Sequence, residues 1–336
     1  MFDKRRDYAW APDFVAHQGP AYLDHVEVSF LPEALIRYLS LASGQYDLTV
    51  DAPPQNARDI RDNPELVFAN RINLGNPMRA ITFNVTQAPF DQQPVRKAFA
   101  MAIDRDAISK GTGFGQFAPT TSFLSATTPY VDGSASASLG KDLSRANRLL
   151  DAAGWSQRDA QGYRIRAGRR LEAKAILLDS GGLSPLIVAV QADVKRIGFK
   201  LDLEMVTAPQ YAALRKSNAY QATGPGIWHT NTPDGLYIVY HSKNITTAKF
   251  TGQNVSRLAD PELDAILTKA RATSDPTQLR PLYAAAQARL TELVPAVPLS
   301  ENHSLVAYRR RVHGVIYDTS HNVPLLTTAW LQESKS

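Results

Sequence analysis

The chain has 336 residues, of which 44% are hydrophobic and 21% are charged, and its formal net charge is +5. This length and composition are typical of a folded protein of two domains or of one large discontinuous domain. The absence of cysteine excludes disulfides, thiolate metal sites and cysteine nucleophiles. No apolar run approaches the roughly 20 residues that cross a bilayer, and the first residues lack the apolar segment of a secretory signal.

The first part of the chain predicts a β-α-β unit. Residues 23–32 alternate apolar and polar side chains as a strand does, and residues 33–44 carry an amphipathic helical pattern that ends at a glycine. Residues 46–54 predict a second short strand, which implies parallel pairing through a right-handed crossover. A short helix and a strand follow over 56–69, and another strand over 78–85.

The segment FDQQPVRKAFAMAIDRDAI, residues 90–108, predicts an amphipathic helix. Pro94 suits the first helical turn, and Asp104 is placed to cap a second short helix. One face has apolar residues at a spacing of four: Val95, Phe99 and Ile103. The loop that follows, 111–136, is rich in Gly, Pro, Ser and Thr, and loops of this length are usually functional or mobile.

The remaining sequence alternates helical and strand patterns. The predicted elements are a helix at 142–155, a strand at 171–180, a helix and a strand at 185–207, a helix and a short strand at 211–228, two helices within 260–300, and strands within 304–317. The sequence therefore predicts a mixed α/β chain with two clusters of βα units, divided near Met78 and rejoined near Leu299.

Candidate ligand-binding residues follow the predicted strand that ends in TGPGIW. In open α/β sheets, ligands bind beyond the carboxyl ends of strands. Aromatic side chains there offer flat contact area, and Thr, Asn and Asp offer hydrogen bonds. The predicted site residues are Trp228, His229, Thr230, Asn231, Asp234 and Tyr237. The alternative is that Trp228 belongs to the core and that TPDG is an ordinary turn. Residues 118–130 are a second candidate edge of the site.

Other chemical motifs are incomplete. The LDSGG sequence at 178–182 is similar to a serine-protease nucleophile loop but lacks the partners of that site, so a hydrolase using Ser180 or His229 is an alternative without a triad. His229 and His241, near Asp234 in the sequence, would form a metal site only with further ligands from elsewhere in the chain. We expect no cofactor. The basic run at 308–314 predicts a solvated turn rather than a phosphate- or lipid-binding patch, and no nucleic-acid partner is expected.

The segment at 79–108 closely resembles a signature of the family 5 solute-binding proteins of bacterial ABC importers, the peptide- and nickel-binding group. It contains Phe-Asn, Pro-Phe-Asp, Val-Arg-x-Ala-Phe and Ala-Ile-Asp-Arg in the family's order. Four further segments resemble the same family in order: 5–48, 145–155, 190–206 and 260–315. The resemblance implies a periplasmic-binding-protein-like two-lobe α/β fold (type II, peptide-binding class). It also implies a non-enzymatic, periplasmic protein that gives a peptide or other small solute to an ABC permease.

Two departures from the family pattern change these expectations. The chain begins where the family's long N-terminal region ends, so we expect an incomplete lobe I over 1–77, lobe II over 78–299, and a return to lobe I over 300–336. A truncated remnant with weak or no binding is an alternative, and an unpaired sheet edge would favour self-association. The family anchors a peptide's amino group with an acidic residue, whose position in this chain falls near Thr230 or Asn231, and neither is acidic. Another small organic ligand or a metal chelate is therefore a further alternative.

Overall fold

A computed structural model describes residues 1–13, 15–77, 79–179, 184–224, 226, 230–318 and 323–332. The α-helices of these ranges are α1 (Ala34–Ala42), α2 (Ala57–Asp62), α3 (Gln93–Ala102), α4 (Arg105–Gly113), α5 (Leu143–Ala152), α6 (Pro185–Arg196), α7 (Ala208–Ser217), α8 (Gly235–Tyr240), α9 (Pro261–Arg271) and α10 (Pro276–Leu293). Short 3-10 helices are found at Pro54–Asn56, Ser136–Leu139 and Ser242–Asn244. Within the described ranges, every helix is too short or too polar to cross a membrane.

The strands of the same ranges are β1 (Phe2–Asp3), β2 (His25–Val26), β3 (Leu48–Thr49), β4 (Leu66–Ile72), β5 (Arg79–Phe83), β6 (Gln157–Arg158), β7 (Arg164–Arg166), β8 (Arg169–Arg170), β9 (Glu172–Leu178), β10 (Lys200–Val206), β11 (Ala222–Thr223), β12 (Ala296–Ser300), β13 (His303–Arg309), β14 (Val312–His313), β15 (Ile316–Asp318), β16 (Val323–Leu325) and β17 (Trp330–Leu331).

The chain separates into two compact units. Unit 1 consists of Met1–Asn73 and His303–Ser336, and unit 2 consists of Leu74–Asn302. The main sheet of unit 1 is antiparallel and has the order β3-β13-β4, so that its central strand comes from the second segment of the unit. The other described strands of unit 1 form short antiparallel pairs: β1 with β2, β14 with β17, and β15 with β16.

Unit 2 is built around a mixed five-stranded sheet in the order β10-β9-β11-β5-β12. Strands β10, β9 and β11 are parallel, whereas β5 runs antiparallel to both of its neighbours, β11 and β12. The carboxyl ends of β9, β10, β11 and β12 therefore lie at one edge of the sheet, together with the amino end of β5. We call this the carboxyl edge.

Hydrophobic clusters pack on both faces of this sheet. One core includes Ile81 and Phe83 of β5 with residues of α3, α5 and α6, and the other includes Ala296 of β12 with residues of α8, α9 and α10. Phe83 stacks on Phe90 with ring centroids 4.2 Å apart. A sheet that is covered on both faces leaves its edges as the places where a ligand can reach the backbone.

The helix predicted within 90–108 and the second short helix after Asp104 are confirmed as α3 and α4. Pro94 lies in the first turn of α3, and the Asp104 side chain accepts a hydrogen bond from the Ala107 N–H, 3.0 Å away, at the start of α4. Arg105 is buried and donates from Nε to the Pro298 carbonyl at 2.8 Å. Burial lowers the pKa of Arg105 to about 10, and backbone carbonyls compensate its charge. This arginine therefore stabilises the packing of α4 against β12.

The parallel β-α-β unit predicted at the start of the chain is wrong. Of residues 23–32, only His25–Val26 form a strand, which pairs antiparallel with β1, and Phe30 is 91% exposed. Strand β3 pairs antiparallel with β13 instead of parallel with β2. The alternating pattern of residues 23–32 specifies an apolar side for a strand, but it does not specify a partner for it.

The basic run at 308–314 forms the turn that the sequence predicts. The Arg311 guanidinium lies 2.7 Å from an Asp47 carboxylate oxygen, and Arg310 Nε donates to the Pro64 carbonyl at 2.7 Å. These contacts stay within unit 1. The basic side chains therefore bind neighbouring turns and strand ends of their own unit.

Candidate functional site

The predicted ligand loop leaves the central strand β11 at the carboxyl edge. Gly224 follows β11 with φ +145°, and a Cβ at this position would lie 2.7 Å from the Ala80 carbonyl oxygen. Only glycine combines this φ with so close an approach to the neighbouring strand. Two residues later, the Gly226 N–H donates to the same Ala80 carbonyl at 3.2 Å. The chain is therefore still bound to β5 at Gly226, after it has left β11.

Two of the predicted site residues, Trp228 and His229, lie outside the described residues. Thr230 is partly buried, and its hydroxyl donates to the Thr232 carbonyl at 3.1 Å. The Gly235 N–H closes the turn by donating to the same carbonyl, also at 3.1 Å. Asn231, by contrast, is exposed. The TPDG segment thus forms a turn that orients Thr230 inwards and leaves the Asn231 amide open to solvent.

Asp234 and Tyr237 share one cationic neighbour, Arg271 of α9. Arg271 Nε lies 2.9 Å from an Asp234 carboxylate oxygen, and Arg271 Cζ lies 4.1 Å from the centre of the Tyr237 ring. Burial raises the pKa of Asp234, and the nearby Arg271 opposes this rise. Because Arg271 already compensates the Asp234 carboxylate, a ligand amine at this position would compete with an internal ion pair.

The turn contacts a buried asparagine that the sequence did not single out. A Cβ at Gly235 would lie 2.6 Å from Asn76 Oδ1 and 2.7 Å from Thr230 Oγ1, so these two polar groups converge on the Gly235 Cα. The Asn76 side chain is 2% exposed. Any larger residue at position 235 would displace Asn76 or Thr230. The only sequence signal is the turn-forming DG pair, which does not indicate a partner 159 residues away in the chain (235 minus 76).

A buried carboxyl group lies at the end of β12. Glu301 is 5% exposed, and burial raises its pKa, although the Ser125 and Thr120 side chains and the Ala126 backbone stabilise the charged form. The loop that supplies these groups pairs with the end of β12 through a bridge between Pro119 and Ser300. The second candidate region, 118–130, therefore adjoins the carboxyl edge.

His241 lies near Ser242, Asp264 and Thr268 but does not form a catalytic triad with them. The Lys243 N–H donates to His241 Nδ1 at 3.1 Å, so Nε2 carries the proton that faces the Thr268 hydroxyl, also 3.1 Å away. Asp264 instead accepts hydrogen bonds from the backbone and hydroxyl of Ser242. A histidine in this tautomer cannot take a proton from Thr268. Ser180 and His229, the residues of the hydrolase alternative, lie outside the described residues.

The chain matches the family model of the bacterial extracellular solute-binding proteins, family 5 (middle), over residues 1–248. The chain belongs to this family. It is 28% identical over 324 residues to the dipeptide-binding protein of Pseudomonas aeruginosa, a match that covers 93% of this chain and 55% of that protein. The chain thus spans about half the length of the curated relatives that it matches.

Solved structures show that this family 5 chain has the fold predicted from its sequence. The oligopeptide-binding protein AppA of Bacillus subtilis, in complex with a nonapeptide, matches 94% of this chain and 62% of its own, with a TM-score of 0.76 at 19% identity. NikA of Brucella suis, in complex with Fe(III)-EDTA, matches 96% of this chain and 64% of its own, with a TM-score of 0.80 at 17% identity. The predicted α/β, periplasmic-binding-protein-like fold of type II is confirmed.

Proposed function

We propose that this family 5 chain captures a peptide or another small solute and delivers it to the permease of an ABC importer. Family membership over residues 1–248 is the observation that carries the proposal. The position of the loop supports it, because the loop follows β11 at the carboxyl edge of an α/β sheet, where ligands of open α/β sheets bind. The proposed location is the periplasm or the cell exterior.

The proposed mechanism is closure of two lobes around the solute. Unit 2 would be lobe II, predicted at 78–299, and unit 1 would contribute what this chain has of lobe I, predicted at 1–77 and 300–336. The solute would stabilise the closed state by binding it more tightly than the open state, and the permease would recognise the closed state. The chain itself would need no cofactor and no catalytic group for this task.

We propose that the solute is recognised mainly by hydrogen bonds and flat contacts rather than by a free carboxylate. Asp234 is engaged by Arg271 at 2.9 Å, whereas Asn231 is exposed. Trp228, His229, Thr230 and Tyr237 complete the proposed contact set. Peptides, opines, amino sugars and metal chelates are compatible with such a set.

The alternative proposal is a chain with weak or no binding. It is favoured by apolar side chains of α1 that are half exposed. These side chains are Leu35, Ile36 and Leu39. A surface of this kind is usually covered by another polypeptide segment.

Thermal unfolding against a panel of di- and tripeptides, opines, amino sugars and nickel chelates tests both proposals. A ligand at 100 times its Kd stabilises the folded state by about 2.7 kcal/mol and raises the unfolding midpoint. We expect a saturable rise with one class of solute, and a smaller rise in the Asn231→Ala variant. Cooperative unfolding that no solute shifts would favour the alternative. Peptidase and esterase rates that do not exceed background would contradict the hydrolase hypothesis.

A further inference from the structure

Both segments that connect unit 2 to unit 1 bind the same loop of unit 2. The chain passes between the units after Asn73 and after Asn302. On the unit 2 side, Gly75 adjoins the first passage and Glu301 adjoins the second. Both residues contact residues 118–128, which we call the anchoring loop.

The first connecting segment is bound through the backbone of Gly75. The Gly75 carbonyl accepts hydrogen bonds from the Ser125 N–H at 2.7 Å and from Thr128 Oγ1 at 2.9 Å. The Gly75 N–H donates to Thr128 Oγ1 at 2.7 Å. Ser125 is 0% exposed and Thr128 is 3% exposed, so water does not compete for these bonds.

The second connecting segment is bound through both the backbone and the side chain of Glu301. The Glu301 N–H donates to the Ala118 carbonyl at 2.7 Å, and the Thr120 N–H donates to the Leu299 carbonyl at 3.3 Å. The Glu301 carboxyl group is buried against the Ser125 and Thr120 side chains. Ser125 thus binds the first connecting segment through its backbone N–H, and its side chain opposes the rise in the pKa of Glu301 in the second.

The anchoring loop is also linked to the candidate ligand loop. Asn76 directly follows Gly75, and its side-chain oxygen packs on the Gly235 Cα beside the Thr230 hydroxyl. A displacement of Gly235 towards these atoms would therefore press on Asn76. The link is steric, because Gly235 leaves no space for a Cβ.

We propose that the anchoring loop fixes both connecting segments and joins them, through Asn76, to the candidate ligand loop. Glu301, Thr128 and Asn76 are then positioning residues that set how easily the connecting segments rearrange. The consequence for lobe closure rests on the proposed function. That the anchoring loop fixes the connecting segments is independent of the proposed function, because it follows from contacts within unit 2.

Hydrogen–deuterium exchange of the unliganded protein tests the proposal. In Thr128→Val, which keeps the shape of the side chain but removes its hydrogen bonds, we expect exchange at 74–76 to become about tenfold faster. In Glu301→Ala we expect the same increase at 300–302, and in Glu301→Gln, which keeps hydrogen-bonding atoms, a return to the wild-type rate. Glu262→Gln, at an exposed carboxylate of α9, is the matched control and should leave both segments unchanged.

The Gly235→Ala variant tests the link to the ligand loop, since its added methyl group displaces Asn76. Faster exchange at 74–76, with unchanged exchange in β9 and β10, is the expected result. Wild-type exchange at both connecting segments in Thr128→Val and Glu301→Ala, or an increase spread evenly through unit 2, would overturn the proposal. These exchange measurements contain no solute. If no solute of the panel shifted the unfolding midpoint, that outcome would therefore count against the proposed function and not against the role of the anchoring loop.

Discussion

The Arg96 guanidinium donates two hydrogen bonds to the Leu293 carbonyl, from Nε at 3.0 Å and from Nη2 at 2.6 Å. Leu293 is the last residue of α10, where helix carbonyls lack partners within the helix and carry partial negative charge. Burial lowers the pKa of Arg96 to about 10, which keeps it charged at neutral pH. The arginine of the Val-Arg motif in the family 5 signature thus joins α3 to α10. Its role in this chain is structural.

Replacing Arg96 should destabilise unit 2 strongly. Arg96→Ala leaves the Leu293 and Phe90 carbonyls without their donor, and we expect the free energy of unfolding to fall by about 3 kcal/mol. Arg148→Ala, at an exposed position of α5, should change it by less than about 0.5 kcal/mol. Urea denaturation followed by circular dichroism measures both. Equal losses in the two variants would contradict the capping role of Arg96.

Two leucines of α1 should differ sharply in their contribution to stability. Leu41 is 0% exposed and Leu39 is 54% exposed. Leu41→Ala leaves a cavity in unit 1 and should cost about 2–5 kcal/mol, whereas Leu39→Ala should cost less than about 1 kcal/mol. Denaturant unfolding of the two variants makes the comparison within one helix. A large loss in Leu39→Ala would mean that the apolar face of α1 is covered in solution, and light scattering would then show whether a second copy covers it.

Two glycines of unit 2 should respond to alanine with opposite signs. A Cβ at Gly252 would overlap the Asn244 carbonyl oxygen, so Gly252→Ala should destabilise the protein by about 2 kcal/mol or more. Gly111 lies within α4 with no atom within 4 Å of its Cβ position, so Gly111→Ala should stabilise the protein by about 0.5–1 kcal/mol. Thermal unfolding checks the pair, and two midpoint shifts of the same sign would refute the prediction.

His241 should make the protein more sensitive to acid. Burial lowers the pKa of His241 below its usual 6.5, although Asp264 opposes the shift. In the unfolded chain the same histidine takes up a proton at higher pH. Its contribution to stability is therefore complete above about pH 6.5 and is lost as the pH falls towards the lower pKa of the folded state.

We expect His241→Gln to reduce this acid sensitivity. Unfolding midpoints in urea, measured at pH 7.5 and at pH 5, provide the comparison. The wild-type midpoint should fall further between the two pH values than that of the variant. An identical fall in both proteins would show that His241 does not contribute to the pH dependence. Carboxylates elsewhere in the chain would then account for it.

Local patterns predicted helices well but strand partners poorly. Asp104 and Pro94 mark helix starts that the structure confirms, since capping and first-turn preferences depend on a few adjacent residues. The strand predicted at 23–32 shrinks to two residues, because its pairing depends on segments far along the chain. The β7–β8 hairpin was missed, although Ala167 and Gly168, with φ of +48° and +75°, form the two-residue turn that a Gly at this position signals.

The candidate site was also predicted only where the signal lies in adjacent residues. The loop after β11 was predicted from its position beyond a strand and from its residue types. Asn76 and Glu301 were not, because their importance comes from burial beside residues that are remote in sequence. A lone asparagine before a proline and a lone glutamate after a strand have no local pattern that distinguishes them from surface residues.

The position of β13 in the sheet of unit 1 sets an order of events during synthesis on the ribosome. Strands β3 and β4 are made before unit 2, and in the described part of the chain each of them pairs with β13, which begins at His303. Residues 74–302, all of unit 2, are synthesised before β13 exists. Domains generally fold as units while the chain emerges. The first 73 residues must therefore wait, without the central strand of their sheet, until a later-made unit has had time to fold. This leaves β3 and β4 open to chaperones and proteases while unit 2 is being made.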